Sequence, residues 1–271
     1  MLGKLLKYEL KHSARYVMLI YACAGVTTVF MLLGMLVKST RMTVIGSMVL
    51  EIVGFVAVFM TLVSVIKNFY DTLYGSQGYL SFTLPVKCST MLFSKVLISF
   101  FWIILSAILM LAITLIILLN ANMQTDGALD GFVEIIKSSG ALSEVASPAM
   151  IVKSLILFAV NALLNILVFV GFVYFAVTLA NTRALQKHPK LFGFVIFFAT
   201  YIVANSIAAK LSSSLPLAIE ISTDNVRLVF EAAGNSIGSV NGIGGIIFMS
   251  LTAVGLLCAT GWIMEHKVNV K

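Results

Sequence analysis

Charge is what this chain has least of. Only 11% of its 271 residues are Asp, Glu, Lys or Arg, against about 25% in soluble domains. A soluble fold is excluded by the complement of that shortage: 60% of the residues are hydrophobic. A water-soluble chain of this size would have to expose much of that apolar surface, because even domains of roughly 300 residues leave about a quarter of their unfolded area in water. Cysteine is scarce too. Cys23, Cys88 and Cys258 are odd in number and far apart, which excludes a disulfide framework and leaves them as small apolar core residues. No Gly-x-x-x-x-Gly-Lys-Ser/Thr loop occurs, so the chain itself does not hydrolyse ATP by that route. His12, His188 and His266 are too dispersed to form a metal or catalytic cluster.

What is present is a set of long apolar runs. A helix rising 1.5 Å per residue needs about 20 of them to cross roughly 30 Å of hydrocarbon. Six stretches reach that length, at 17–37, 44–66, 96–119, 154–180, 191–209 and 243–264. Backbone polar groups in lipid must be satisfied within the segment, so each run is expected to be a helix. The first run exceeds a signal-peptide core and has no cleavage site where one belongs, so it is read as a retained span. The expected fold class is an all-α integral membrane protein of six transmembrane helices, with residues 1–271 as a single transmembrane domain.

The cations orient it. With a cytoplasmic amino terminus, twelve basic residues fall inside: Lys4, Lys7, Lys11, Arg15, Lys67, Lys87, Lys95, Arg183, Lys187, Lys190, Lys267 and Lys271. Six fall outside: Lys38, Arg41, Lys137, Lys153, Lys210 and Arg227. This bias predicts a multi-pass protein of the cell membrane with both termini cytoplasmic. The net charge of +7 is thus a membrane-orienting charge, and no nucleic-acid partner is implied.

Residues 1–16 carry a second pattern. Lys4, Lys7, Lys11 and Arg15 share one helical face, and Leu2, Leu5, Leu6 and Leu10 the opposite one. An amphipathic interfacial helix is expected, resting its leucines in membrane lipid before the chain turns into the first span. Glu9 lies within the leucine arc. It is read either as a snorkelling carboxylate or as a contact for a protein docked beneath the membrane.

The loop 67–95 is long and aromatic, with Phe69, Tyr70, Tyr74, Tyr79 and Phe82. Such side chains anchor a segment at the headgroups or fill a pocket on another protein. Pro85 ends any helix before it, and Ser89 or Thr90 can cap the next span. Gly75 and Gly78 weaken any continuous helix through the loop.

In its order of parts the chain resembles the membrane permeases of ATP-binding-cassette (ABC) transporters of the type-2 exporter class. The resemblance rests on Leu6-Lys7-Tyr8-Glu9-Leu10-Lys11, on Gly78-Tyr79-Leu80-Ser81-Phe82-Thr83-Leu84-Pro85-Val86-Lys87 in the second-to-third-span loop, and on Lys95. It implies a coupling segment at about 71–82 that sits on a separate nucleotide-binding ATPase subunit. The residues it points to are Glu9, Asp71, Tyr74, Tyr79, Phe82 and Pro85. It further implies a second permease chain, identical or related, and ATP with Mg held by the partner subunit, this chain binding no cofactor. The function so implied is outward movement of a substrate (peptide, lipid, drug or similar) by alternating access. A non-transporting scaffold or immunity protein and an ion-coupled secondary transporter are the other classes open to a six-span chain.

Glu51 is the one acid inside a span, about 10 Å from its outer end by helix rise. It is read as lining a pathway or as snorkelling. Asn161, Asn165 and Asn205 are expected to hydrogen-bond between helices. In the outer loops 120–153 and 210–242, the runs 132–137 and 226–231 suggest short amphipathic helices. The topology is checked by Gly75→Cys on a cysteine-free background, which should resist an impermeant thiol reagent in intact cells and react once the membrane is opened. Labelling in intact cells would invert the orientation.

Overall fold

The computed structural model describes residues 2–37, 39–75, 78, 88–124, 148–182, 188–214, 218–221, 226–229 and 239–266. Six helices dominate: α1 (Leu2–Leu36), α2 (Thr40–Leu73), α3 (Cys88–Gln124), α4 (Pro148–Ala180), α5 (Pro189–Ser214) and α6 (Ile243–His266). All six are long and apolar enough to cross a membrane. The chain is an all-α multi-pass membrane protein in which each predicted run falls on one helix, with only Val37 lying past a helix end. Its helices gather into two compact units, Met1–Leu129 with Val270–Lys271, and Asp130–Asn269, whereas the hydropathy pattern offered no division.

The helix ends follow local chemistry. α4 and α5 each begin with proline, at Pro148 and Pro189, where the missing N–H would have had no helical partner. α2 stops at Leu73, just short of Gly75, whose N–H bonds the Tyr70 carbonyl at 3.0 Å. Gly75 thus marks the end of the helix, in keeping with its low propensity. Hydroxyls within the spans turn back on the preceding turn. Thr61 donates to the Ala57 carbonyl at 2.8 Å, Ser99 to Lys95 at 2.9 Å and Thr260 to Leu256 at 2.7 Å. In lipid this satisfies each donor without water.

In the first unit α1 and α3 run parallel and α2 runs against them. Met31, Leu50 and Ile113, one from each helix, form the core, with Leu109, Ile116 and Ile117 against it. Residues 2–16 are the opening turns of α1, continuous in secondary structure with the span that follows. The face bearing Leu5, Leu6, Glu9 and Ser13 is buried or half-buried, and Lys7 and Tyr8 are exposed. Leu5 and Leu6 of the leucine arc are thus half-buried, while Leu10 is exposed.

In the second unit α4 and α6 run parallel and α5 opposes them. Val168, Phe172, Ala204 and Ala253 form the core, with Leu167, Phe197, Met249 and Leu256 packed around it. A Cβ at Gly171 would stand 3.0 Å from the Ala253 carbonyl oxygen and 3.3 Å from its Cα. Only glycine lets α4 and α6 approach this closely.

Strands replace one predicted helix. Val226–Val229 is β2 of a three-stranded antiparallel sheet with β1 (Ala218–Ile221) and β3 (Ser239–Gly242), in the order β2-β1-β3. A run as short as 226–231 fits either period, and the pairing of Val226–Val229 decided it. The run 132–137 lies outside the described residues. The cysteines differ too: Cys23 and Cys258 are exposed and Cys88 is half-buried, so none is a core residue, and exposed apolar side chains are what a lipid-facing surface carries.

Gly171→Val should lower the unfolding temperature of the detergent-solubilised protein, by a loss of about 1–3 kcal/mol from overpacking. Gly255→Val, where nothing lies within 4 Å of the added carbon, should leave it nearly unchanged.

Candidate functional site

The first unit carries a polar cluster that no apolar bundle forms by accident. Lys95 lies two turns into α3 and is only 3% exposed, yet it carries an ammonium group. Its Nζ lies 2.6 Å from Glu9 Oε1 on α1 and donates to Thr72 Oγ1 on α2 at 2.5 Å. The second carboxylate oxygen of Glu9 accepts from Asn68 Nδ2 at 3.3 Å. Thr72, having accepted from Lys95, donates its own proton to the Asn68 carbonyl. Every helix of the unit thereby contributes to one ion pair.

A second polar contact lies one turn farther along α1. Trp102 Nε1 on α3 donates to Ser13 Oγ at 2.9 Å, and Ser13 donates to the Glu9 carbonyl at 2.7 Å. Trp102 and Ser13 are both buried. The indole therefore reaches back through one hydroxyl to the residue that holds the lysine. Around this polar layer Val17, Phe69, Leu73, Met91, Leu92 and Ile98 are buried. Such surroundings strengthen the attraction between the two charges and make either one costly alone.

The predicted residues divide in three. Glu9 is only 14% exposed and has both oxygens engaged within the chain; it neither snorkels nor offers a free carboxylate. Asp71 and Tyr74 lie at the end of α2, half-buried, a few residues from Asn68 and Thr72. Tyr74 sits edge-on to Phe69 with centroids 6.2 Å apart and tilted against Tyr70 at 6.4 Å. Tyr79, Phe82 and Pro85 lie outside the described residues. Glu51 stands apart. It is exposed on α2 beside Met48, Ile52 and Phe55, which are exposed as well.

Asn68, Thr72, Ser13 and Trp102 were not singled out by sequence. One signal was available: a lysine within the helix Cys88–Gln124 and an acid in the leucine arc of 1–16, two unlike charges on faces where each alone is costly. The asparagines differ from expectation, since the bonds of Asn165 Nδ2 go to Asn161 within α4, to its carbonyl at 2.9 Å and to its side-chain oxygen.

Among the described residues no three His, Cys, Asp or Glu gather as metal ligands. The site is a charge-locked helix junction at the base of the α2–α3 connection. Comparison with protein-family models, curated proteins and solved structures finds no match for this chain.

Removing one charge should cost more than removing both. Lys95→Met leaves a buried carboxylate uncompensated and should destabilise the purified protein by about 3–5 kcal/mol. Glu9→Leu combined with Lys95→Met should recover much of that loss. Unfolding curves for both singles and the double measure the coupling, and additive losses would show that the pair is not energetically linked.

Proposed function

We propose that this chain is the permease subunit of an ATP-driven ABC exporter. In this reading it lies in the cell membrane with both termini and the α2–α3 connection in the cytoplasm. It pairs with a second permease chain, and a separate ATPase subunit holds ATP and Mg. Substrate moves outward by alternating access.

The observation that supports this is the position of the Glu9–Lys95 pair. A nucleotide-driven subunit shifts a membrane protein only through contacts that differ between two states. The connection between α2 and α3, with its tyrosines and Pro85, is the surface on which such a subunit would act. Its two arms lead directly into Asn68 and Thr72 on one side and Lys95 on the other, and all three meet α1 at Glu9 or at the lysine bound to it. A push on the connection is delivered to three helices at once. Glu9 then serves as the inner end of a relay, and the aromatic residues of the connection make the external contact.

Replacing Tyr74, Tyr79 and Phe82 together by Ala removes apolar anchors worth roughly 2 kcal/mol or more each if they fill a partner's pocket. The variant should insert and fold normally but no longer co-purify with the ATPase subunit, or no longer stimulate its hydrolysis. A wild-type chain that retains no ATPase through gentle solubilisation, or a triple variant that keeps full partner binding and transport, would remove the basis for this reading.

A further inference from the structure

The second unit holds a concavity whose chemistry differs from that of the helices around it. It lies between α4, α5 and α6, with a volume of about 280 Å³. Its lining mixes apolar Val168, Ala208 and Met249 with polar Asn161, Asn165, Asn205 and Tyr201. Each of these residues lies within a helical stretch long and apolar enough to cross a membrane.

Side-chain amides are expensive at that depth. Moving one from water into hydrocarbon without a partner costs about 4–8 kcal/mol. Asn165 and Asn205 are both exposed. The Asn161–Asn165 bond uses one amide N–H and one amide oxygen, which leaves the Asn161 amide N–H groups and the Asn165 amide oxygen on the groove wall. Asn205, across on α5, adds a donor and an acceptor of its own. The wall thus offers both kinds of hydrogen-bonding group to whatever occupies the groove.

The site is also built. Tyr201 is stacked on Phe197, with centroids 5.9 Å apart and planes 14° apart, and meets Phe172 edge-on at 5.8 Å. Ser212 Oγ accepts from the Gly245 N–H at 3.0 Å, tying the end of α5 to the start of α6. A Cβ at Gly245 would stand 3.1 Å from the Ala208 carbonyl, so the floor is backbone in near contact. These contacts hold the groove open between rigid elements.

We propose that this groove binds an uncharged amphiphile, its carboxamide or hydroxyl head against the three asparagines and its apolar part along Val168 and Met249. No lining residue is charged at neutral pH, so an ionised head would lie in low dielectric without a counter-charge. A purely apolar occupant would leave the amides unpaired. The volume suits a small head group with the first part of a chain, just below the usual range for ligand pockets of about 300–1,000 Å³, and is too small for a helix about 10–12 Å across. This site stands whether or not an ATPase drives the protein.

The test uses the full chain in phosphatidylcholine nanodiscs and a diazirine-bearing octanamide, with labelled peptides mapped by mass spectrometry. Saturable labelling is expected in 161–168, 201–212 or 245–249. Unlabelled octanamide should displace it, and octanoate at neutral pH should not. Displacement by ceramide added to the bilayer identifies membrane lipid as the source of the ligand; displacement by octanamide without ceramide identifies a water-borne one. Asn165→Leu with Asn205→Leu should raise the half-saturating concentration by about tenfold or more, as loss of two hydrogen bonds requires. Ala209→Phe, which fills the groove and alters no polar group, should abolish labelling and decides the matter if the double variant does not fold. Labelling that does not saturate, that is equal for octanoate, or that survives Ala209→Phe overturns the proposal. So does efficient cross-linking of Asn205→Cys to another protein segment, which would make the occupant a helix.

Discussion

A lysine ammonium enclosed by apolar helices dictates what must surround it. Lys95 is nearly inaccessible, and in such a place a cation persists only with an opposite charge and further acceptors in contact. Glu9 supplies the charge and Thr72 a second acceptor. These groups come from three helices, and an ion pair at 2.6 Å tolerates little sliding. It therefore sets the axial register of α1, α2 and α3 in a way that interchangeable Leu and Ile contacts do not. The hydrophobic residues provide most of the contact area and the polar layer selects one arrangement of it, much as a single buried polar residue selects register in a coiled coil.

The second unit reaches the same end by other means. Its core relies on the close approach at Gly171 and Ala253 and on a run of ring contacts through Phe169, Phe197, Tyr201 and Phe172. Backbone proximity and dispersion replace charge as the source of specificity. Its polar residues are consequently free to line a groove, where those of the first unit are consumed in holding helices together.

Much of this was legible from residue order. Hydropathy located all six spans, because a solvent that cannot hydrogen-bond leaves one conformation open to a long apolar run. Pattern alone did not show where the amphipathic face of 1–16 would lie: a leucine arc suits lipid and protein equally, and only the pairing with Lys95 in α3 shows that Glu9 and Ser13 face inward. Glu9 stood out on the helical wheel, but its partner is 86 residues away, beyond the reach of local periodicity. The asparagines were visible as isolated polar residues in apolar runs; that they share one groove follows from α4, α5 and α6 each packing on the other two. Val226–Val229 was misread because a run as short as 226–231 does not distinguish a period of two from one of 3.6. The 79–87 segment, which carries the Pro85 motif, has no described geometry to set beside its sequence.

The distance along the chain between the paired charges also has a temporal side. At about 5–20 residues per second, the ribosome needs roughly 4–17 s after making Glu9 to produce Lys95, 86 residues later. During that interval the carboxylate must remain at an aqueous edge. The helix Cys88–Gln124 then arrives at the insertion machinery carrying a lysine, at a cost of up to about 3 kcal/mol if it reaches the bilayer centre. The nascent α1 and α2 must still be nearby to receive it. Membrane insertion of this unit is therefore an assembly step, in which earlier helices wait as a template for the third.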